Sequence, residues 1–570
     1  MRKIKKTTYT VIVLLFVISF VAPIFSQAQV SSPVYFFVDP NYKIDSHQQE
    51  EILFLHSSQR AYFYVEKKYY DNLSSEAQAQ VSAALQDFGN TFDTKIYDRV
   101  RNIFGSEWNP GVDNDSKITI YFTDMPTKYN GYFREIDENT SPFAVNSNKR
   151  EMIYINANYA TSYQLPAIVT HEFQHLAHYN QKRKQYNLVQ EKWINEGLSE
   201  YAVTVAGYEE SGDYLNERVR AFKSSPNTSL ILWNDSIENY ATASLFMHYL
   251  ADVYGQELIY GISHNGYVGI ESINRALAAL NISKDFSQVY SDWTASLFLN
   301  QNFDNTQIYA YKNSLLNFLN LRVNARSTLT ISDTNLIKTS VALQDFSPQW
   351  YRFIPANYDL QNPKFLNIKF ESLDKLDIFK VAVIITTLAG DITVDTHTVT
   401  NGMSLLDIPN FNQNISSVVV IPASHTKLIG FDNSENKFRV LSIEASLKDS
   451  GYSLKDGDLV KTIGDNKVYV VKGNTKRWIP SPKIFNGYGH LKWENIIEVS
   501  EGILNTYAES RLIKFAQDYR VYQVSSDGKI KQWLNMSPTQ FISSGRDWGQ
   551  IYEINQNEFG RYLSGPQIAT

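Results

Sequence analysis

In the segment IVTHEFQHLAHYNQKRKQYNLVQEKWINEGLSEYA, residues 168–202, three of the ten histidines of this 570-residue chain fall within eight positions: His171, His175 and His178. On a helix, positions i and i+4 share a face, so His171 and His175 can offer two imidazoles to one metal ion, with Glu172 beside them on the open side. His178 shares that face too. It sits two turns along the axis from His171, about 10 Å away, too far for a coordination sphere with bonds of about 2 Å. A catalytic zinc needs three protein ligands and one open position, so the third ligand must come from another element. WINEGLSEYA offers Glu196, with Glu200 one turn later on the same face, placed to orient a ligating imidazole. Zinc held by His171, His175 and Glu196 would acidify its water and polarise a carbonyl; Glu172 would take the water's proton and pass it to a leaving amine.

These residues need a scaffold of strands and helices, and the pattern supplies one. RAYFYVE, KITIYFTD and EMIYINA read as strands, and residues 74–101 carry helical periodicity. From about 162 to 300 helical patterns take over: the histidine segment, WINEGLSEYAVTVAGY, NYATASLFMHYLADVYG, SINRALAAL and FSQVYSDWTASLFL. Strands first and helices after predict one α+β domain over 45–300.

The same residues carry a resemblance. His171, Glu172, His175 and Glu196, with 20 residues between the second histidine and the glutamate, resemble the gluzincin metallopeptidases, in which a downstream helical glutamate completes the zinc site. NEGLSE is similar to the thermolysin pattern N-E-x-x-S-D, with Glu200 in place of the aspartate, and WINEGLSEYA is similar to the W-L-N-E-G-F segment of the aminopeptidase branch. The broadest likeness is to secreted bacterial peptidases of the hyicolysin type, which pair HEFQH with W-[IL]-N-E-G-[LF]-S. It runs on through YFYVE, FGSEWNPGVDNDSKITIYFTD, YATASLFMHYLADVYG and DWTA, and so covers roughly residues 59–300. It implies a zincin-like catalytic domain, a Zn2+ cofactor and a protein or peptide substrate. By analogy with the gluzincin tyrosine, it points to Tyr240 as a donor to the developing oxyanion. The elongated metzincin pattern is not met, because His178 and Gln181 stand where Gly and His are required. A G-x-M-E-N-like segment is also lacking, which favours an endopeptidase over an aminopeptidase.

Beyond residue 300 the texture changes. Short β-branched runs between 325 and 445 predict a β-sandwich domain, and 446–456 reads as a polar linker. Two β-rich repeats follow, 457–509 and 510–570. In them Lys461/Lys514, Tyr469/Tyr522, Trp478/Trp533, Pro482/Pro538, Phe485/Phe541, Trp493/Trp548 and Glu498/Glu553 recur at a nearly constant offset. Their tryptophans and tyrosines suggest contact with cell-wall or surface carbohydrate. A cell-surface adhesion protein with a vestigial peptidase domain, or an aminopeptidase, are the alternatives to the endopeptidase.

Composition narrows the setting. A formal charge of −6, with 20 % charged residues, excludes the basic surface that nucleic-acid binding needs. Residues 1–28 combine a cationic start, an apolar run and the small-x-small ending Ser26-Gln27-Ala28, as in a bacterial export signal cut near Ala28. The expected location is secreted or cell-surface, with no membrane association after signal removal. No cysteine is present, so disulfide staples and thiol nucleophiles are excluded. Asp113 and Asp115, in PGVDNDSK, lack the spaced oxygen ligands of a calcium loop and read as a polar turn.

Overall fold

Six strands build the sheet on which the candidate site rests: β1 (Tyr35–Phe37), β2 (Gln49–Ser57), β3 (Ala61–Glu66), β4 (Ile118–Thr123), β5 (Gly131–Phe133) and β6 (Met152–Asn156). Their order is β1-β2-β3-β4-β6-β5, with β3, β4 and β6 mutually parallel and β5 antiparallel at the edge. The computed structural model describes residues 34–303, 306–400, 402–426, 437–449, 454–462, 465–499, 501–516 and 518–569. The export signal read at 1–28 lies outside the described residues.

The parallel strands β4 and β6 are buried along their whole length, as strands covered on both faces must be. Helices cover one face. The short helix α1 (Lys67–Asp71) leads to α2 (Ser75–Thr91), whose N-terminal Ser74 side chain accepts a hydrogen bond from Ala77 N. A single turn at Phe92–Ile96 then passes into α3 (Tyr97–Phe104). α4 (Leu165–Tyr179) packs beside α3 directly on β5 and β6, and α5 (Lys192–Ala206), α6 (Tyr214–Ser224), α7 (Ile237–Tyr254), α8 (Gln256–His264), α9 (Gly269–Ala279) and α10 (Phe286–Leu299) follow. α5 packs between α4 and α7, and Gly207, in the left-handed region at φ 84°, ends it.

The other face is covered by the chain's own beginning. Residues 36–43 cross it, burying Phe36 and Val38 against Tyr121, Tyr132 and Tyr154. The sheet therefore starts at Tyr35, and the domain boundary predicted at 45 falls too late. A three-residue strand is too short to show an alternating pattern, so the sequence gives no signal for it.

Nine strands form two facing sheets beyond residue 325: β7 (Ser327–Ile331), β8 (Ile337–Leu343), β9 (Tyr351–Pro355), β10 (Lys364–Ser372), β11 (Phe379–Thr387), β12 (Ile392–Val399), β13 (Met403–Ile408), β14 (Ile415–Ser424) and β15 (Arg439–Asp449). One sheet runs β13-β10-β15-β8 and the other β12-β11-β14-β9-β7, with a core of inward residues between them. β15 extends to Asp449 and Leu454 is buried in the next unit, so of the polar segment predicted as a linker over 446–456, residues 446–449 belong to a strand, and 450–453 lie outside the described residues.

Two five-stranded sheets complete the chain. The first holds β16 (Leu459–Thr462), β17 (Val468–Lys472), β18 (Thr475–Ile479), β19 (Ile496–Val499) and β20 (Ala508–Glu509). The second holds β21 (Leu512–Phe515), β22 (Val521–Val524), β23 (Ile530–Trp533), β24 (Tyr552–Ile554) and β25 (Leu563–Ser564). Their orders, β19-β16-β17-β18-β20 and β24-β21-β22-β23-β25, are the same. Equivalent positions pair alike: Tyr469 faces Trp478 as Tyr522 faces Trp533, and Phe485 stacks on Trp493 at 4.0 Å as Phe541 does on Trp548 at 4.1 Å.

Candidate metal centre

α4 begins with Pro166 in its first turn, where a missing N–H costs nothing, and its helical spacing puts His171 and His175 on one face with rings 4.9 Å apart. α5 lies across α4 and brings Glu196 to the same point. Glu196 Oε2 is 3.3 Å from His171 Nε2 and 3.4 Å from His175 Nε2, and donor atoms of the three residues all lie within 4.8 Å of one another. Two imidazole nitrogens and one carboxylate oxygen at that spacing fit zinc, which takes such ligands at about 2.0–2.2 Å.

Each imidazole is held from behind through Nδ1, which leaves Nε2 facing the centre. His175 Nδ1 lies 3.0 Å from the Ser199 hydroxyl, which in turn donates to the Gln174 side-chain oxygen. His171 Nδ1 lies 3.4 Å from the Tyr214 hydroxyl and 3.6 Å from Glu200 Oε1. Glu200 is fully bonded: Arg218 donates Nε to Oε2 at 2.7 Å and Nη2 to Oε1 at 2.8 Å, and Tyr214 donates to Oε1 at 2.8 Å. The longer glutamate, where the thermolysin pattern has aspartate, thus stands between His171 and a buried guanidinium.

Electrostatics separate the two glutamates. Burial pushes the Glu196 carboxyl up, but the charges and hydrogen bonds of His175 and His171 outweigh it and hold the group well below the usual carboxylate range. Burial also lifts Glu172, and there it prevails, with Glu196 adding to the rise. A carboxylate of raised pKa beside a water site is the form a general base takes near neutral pH.

The centre opens into a cleft of about 730 Å3. Glu172, Glu200, Tyr214 and Arg218 line it, as does Tyr240 from the start of α7. Tyr240 packs edge-on against Trp233 at 5.0 Å, and burial, then the nearby Glu196, keeps its phenol protonated far past neutrality. Asn130–Phe133 of the β5 edge form the opposite wall, and Gly131 lies so close to the site that a Cβ there would stand 2.9 Å from Glu172 Cγ. His178 is buried with neither ring nitrogen hydrogen-bonded, and it is not among the converging donors. Asp115 accepts from the Tyr62 hydroxyl and from Lys117 N, within a turn.

Sequence reasoning missed Ser199, Tyr214, Arg218 and Tyr42. Tyr42 reaches the cleft from the N-terminal crossing segment, stacked on Tyr132 at 4.2 Å. Ser199 had a signal in the S of NEGLSE. The other three lie on elements with no motif.

Comparison with known proteins is sparse. Among solved structures, the Yersinia pseudotuberculosis-derived mitogen overlaps 22 % of this chain and 92 % of its own, at 11 % identity and a TM-score of 0.15. The pre-peptidase C-terminal domain of a Bacillus anthracis collagenase overlaps 22 % and 98 %, at 11 % identity and a TM-score of 0.15. Overlaps this slight have no bearing on what the chain does. No curated protein matches it. Residues 135–284, which contain α4, α5, His171, Glu172, His175, Glu196, Glu200, Tyr214, Arg218 and Tyr240 but neither Tyr42 nor the β5 wall, match the family described as "Predicted Zn-dependent protease (DUF2268)".

Proposed function

We propose that the chain is a secreted zinc-dependent endopeptidase that hydrolyses internal bonds of protein or peptide substrates. The observation that carries this reading is the convergence of the His171, His175 and Glu196 donors in a cleft that Glu172 also lines. Zinc bound there supplies Lewis-acid chemistry, acidifying water and polarising a carbonyl. Glu172 takes the water's proton on its carboxylate and hands it to the departing amine nitrogen. Tyr240 donates its hydroxyl proton toward the carbonyl oxygen as charge builds there. Glu200 and Tyr214 fix His171, and Ser199 fixes His175.

One feature favours internal bonds. Among the described residues β5 pairs on one side only, with β6, so an extended peptide can add to its other edge through backbone hydrogen bonds. Of the other carboxylates lining the cleft, Glu200 is held bidentately by Arg218 and Asp235 pairs with Lys192 at the exposed rim.

The test is metal analysis of the purified full chain together with digestion of an unstructured protein. One zinc per chain and cleavage of N-terminally blocked peptides are expected. Glu172→Gln should keep its zinc and lose about 10³-fold in kcat/KM; unchanged hydrolysis in that variant would end the proposal. Export is checked by sequencing the N-terminus of the protein recovered from culture medium, expected near Gln29.

The terminal sheets support a second role, retention at a surface carbohydrate. Trp493 and Trp548 stack one face on a phenylalanine and remain 47 % exposed, as indoles that pack on sugars do. Loss of cell-wall retention in the Trp493→Ala, Trp548→Ala double variant, with peptidase activity intact, is the expected result.

A further inference from the structure

A second group of charges lies outside the cleft and takes no part in its chemistry. Glu138 closes a short turn, Glu135–Glu138, just after β5, and its side chain is fully buried with neither carboxylate oxygen hydrogen-bonded. A backbone bond from Arg150 N to Asp137 O (3.0 Å) seats this turn beside Glu151, at the foot of β6. Glu151 is itself buried. Its Oε1 accepts from Val112 N at 2.8 Å, and its Oε2 has no partner. The turn at Gly111 (φ 89°) wraps this carboxylate so closely that a Cβ there would stand 1.8 Å from Oε2. Glu107 arrives from beyond the end of α3; its Oε1 accepts from the Tyr97 hydroxyl at 2.6 Å and from Asn109 Nδ2 at 3.1 Å, while its Oε2 lies 3.3 Å from Arg101 Nε as an ion pair with no hydrogen bond. The cation left nearby is Lys184, whose ammonium donates to the Glu138 backbone carbonyl at 2.7 Å and lies 3.8 Å over the Trp108 ring.

The electrostatic cost shows in both groups. Burial, then the charge of Glu151, pushes Glu138 up to about 9, and burial pushes Glu151 up to about 7. As anions, carboxylates so deep, with oxygens that meet no donor, are strongly unfavourable unless a proton or a bound cation neutralises them.

We propose that a divalent cation of the calcium type binds between Glu138 and Glu151. Donors here are oxygens alone, which selects a hard cation over zinc. Among the described residues, the His171–His175–Glu196 group is the one whose three donors all lie within 4.8 Å, so Glu107 does not close a tight cage with the other two. Two carboxylates completed by carbonyl oxygens and water make a wide sphere, which suits the 2.3–2.6 Å bonds of calcium better than the compact octahedron of magnesium. Such an ion would tie the 107–116 loop to the segment that leads away from β5, and so would brace a cleft wall from outside.

The test uses the zinc-loaded full chain and terbium(III), a luminescent calcium surrogate excited through tryptophan, with Trp108 beside the site. Expected are saturable emission from one ion per chain, displacement by calcium, and a rise in Tm of about 5 °C in saturating calcium. Glu138→Gln with Glu151→Gln should abolish the emission and the calcium response. If that double variant fails to fold, Glu138→Gln alone must weaken terbium binding at least tenfold. Absent emission, emission that persists in the variants, or a pair that only takes up a proton on acidification and ignores calcium would each overturn the proposal.

Discussion

Arg218 holds Glu200 through two parallel N–H bonds, and Glu200 faces the back of His171, so the aim of an imidazole that could hold a metal depends on a guanidinium one element away. Arg218→Met should weaken zinc retention by 10- to about 100-fold, read by competition with a chelator, while the fold is kept. Tyr240→Phe removes one hydroxyl from the cleft wall. It should lower kcat about 10²-fold with KM unchanged, as loss of a donor made only in the transition state does. At this scale the sequence was most informative where chemistry dictates residue type and helical spacing together: His171 and His175 stand one turn apart with Glu172 beside the first, and Glu196 and Glu200 repeat that interval. Arg218, Tyr214 and Tyr42 obey no such interval. They meet the site through packing, and packing leaves no mark on spacing.

β5 is three residues long, yet it forms one wall of the cleft. Its Gly131 is needed for close approach: an added methyl would lie 2.7 Å from the Tyr154 carbonyl and 2.9 Å from Glu172 Cγ. Gly131→Ala should therefore displace Glu172 and, on the proposed function, lower kcat/KM about 10²-fold with zinc content unchanged, measured by steady-state kinetics and metal analysis. The long elements α4, α5, α7 and α10 were readable because a buried stripe repeats over several turns. β1 and β5 were not, since three residues cannot establish a period. α6 carried a signal that went unread, because its buried Leu215, Val219 and Phe222 sit at helical spacing among charges. In the helix read over 74–101, the turn at Phe92–Ile96 separates α2 from α3 without disturbing the apolar stripe, so periodicity ran through it.

Across the whole molecule, the sandwich is not a loose appendage. Phe346, Trp350 and residues of β11 and β14 join the same core as α10, and the Ser287 hydroxyl meets His425 Nδ1 at 2.7 Å across the join. Burial pushes His425 down to about 3 and His397, on β12, down to about 4. Both are neutral when folded and would take up protons once unfolded below about 6.5. Their contribution to stability is therefore full above that value and is lost as pH falls toward 4, by about 2 kcal/mol each at pH 5. Hydrogen exchange in β11, β12 and β14, corrected for intrinsic rates, should show greater opening at pH 5 than at pH 7. Domain texture was visible in the sequence, but the shared core was not, since it joins residues as far apart as Ser287 and His425. The chain's first described residues carry a practical consequence. The Lys43 ammonium is shared by Glu50, Glu66 and Thr123 beneath the sheet, and Tyr42 next to it fronts the cleft. A recombinant catalytic fragment started at residue 45 would lose the counter-ion of two buried acids along with part of its substrate wall. Expression designs should therefore begin upstream of Tyr35 and place affinity tags at the other end.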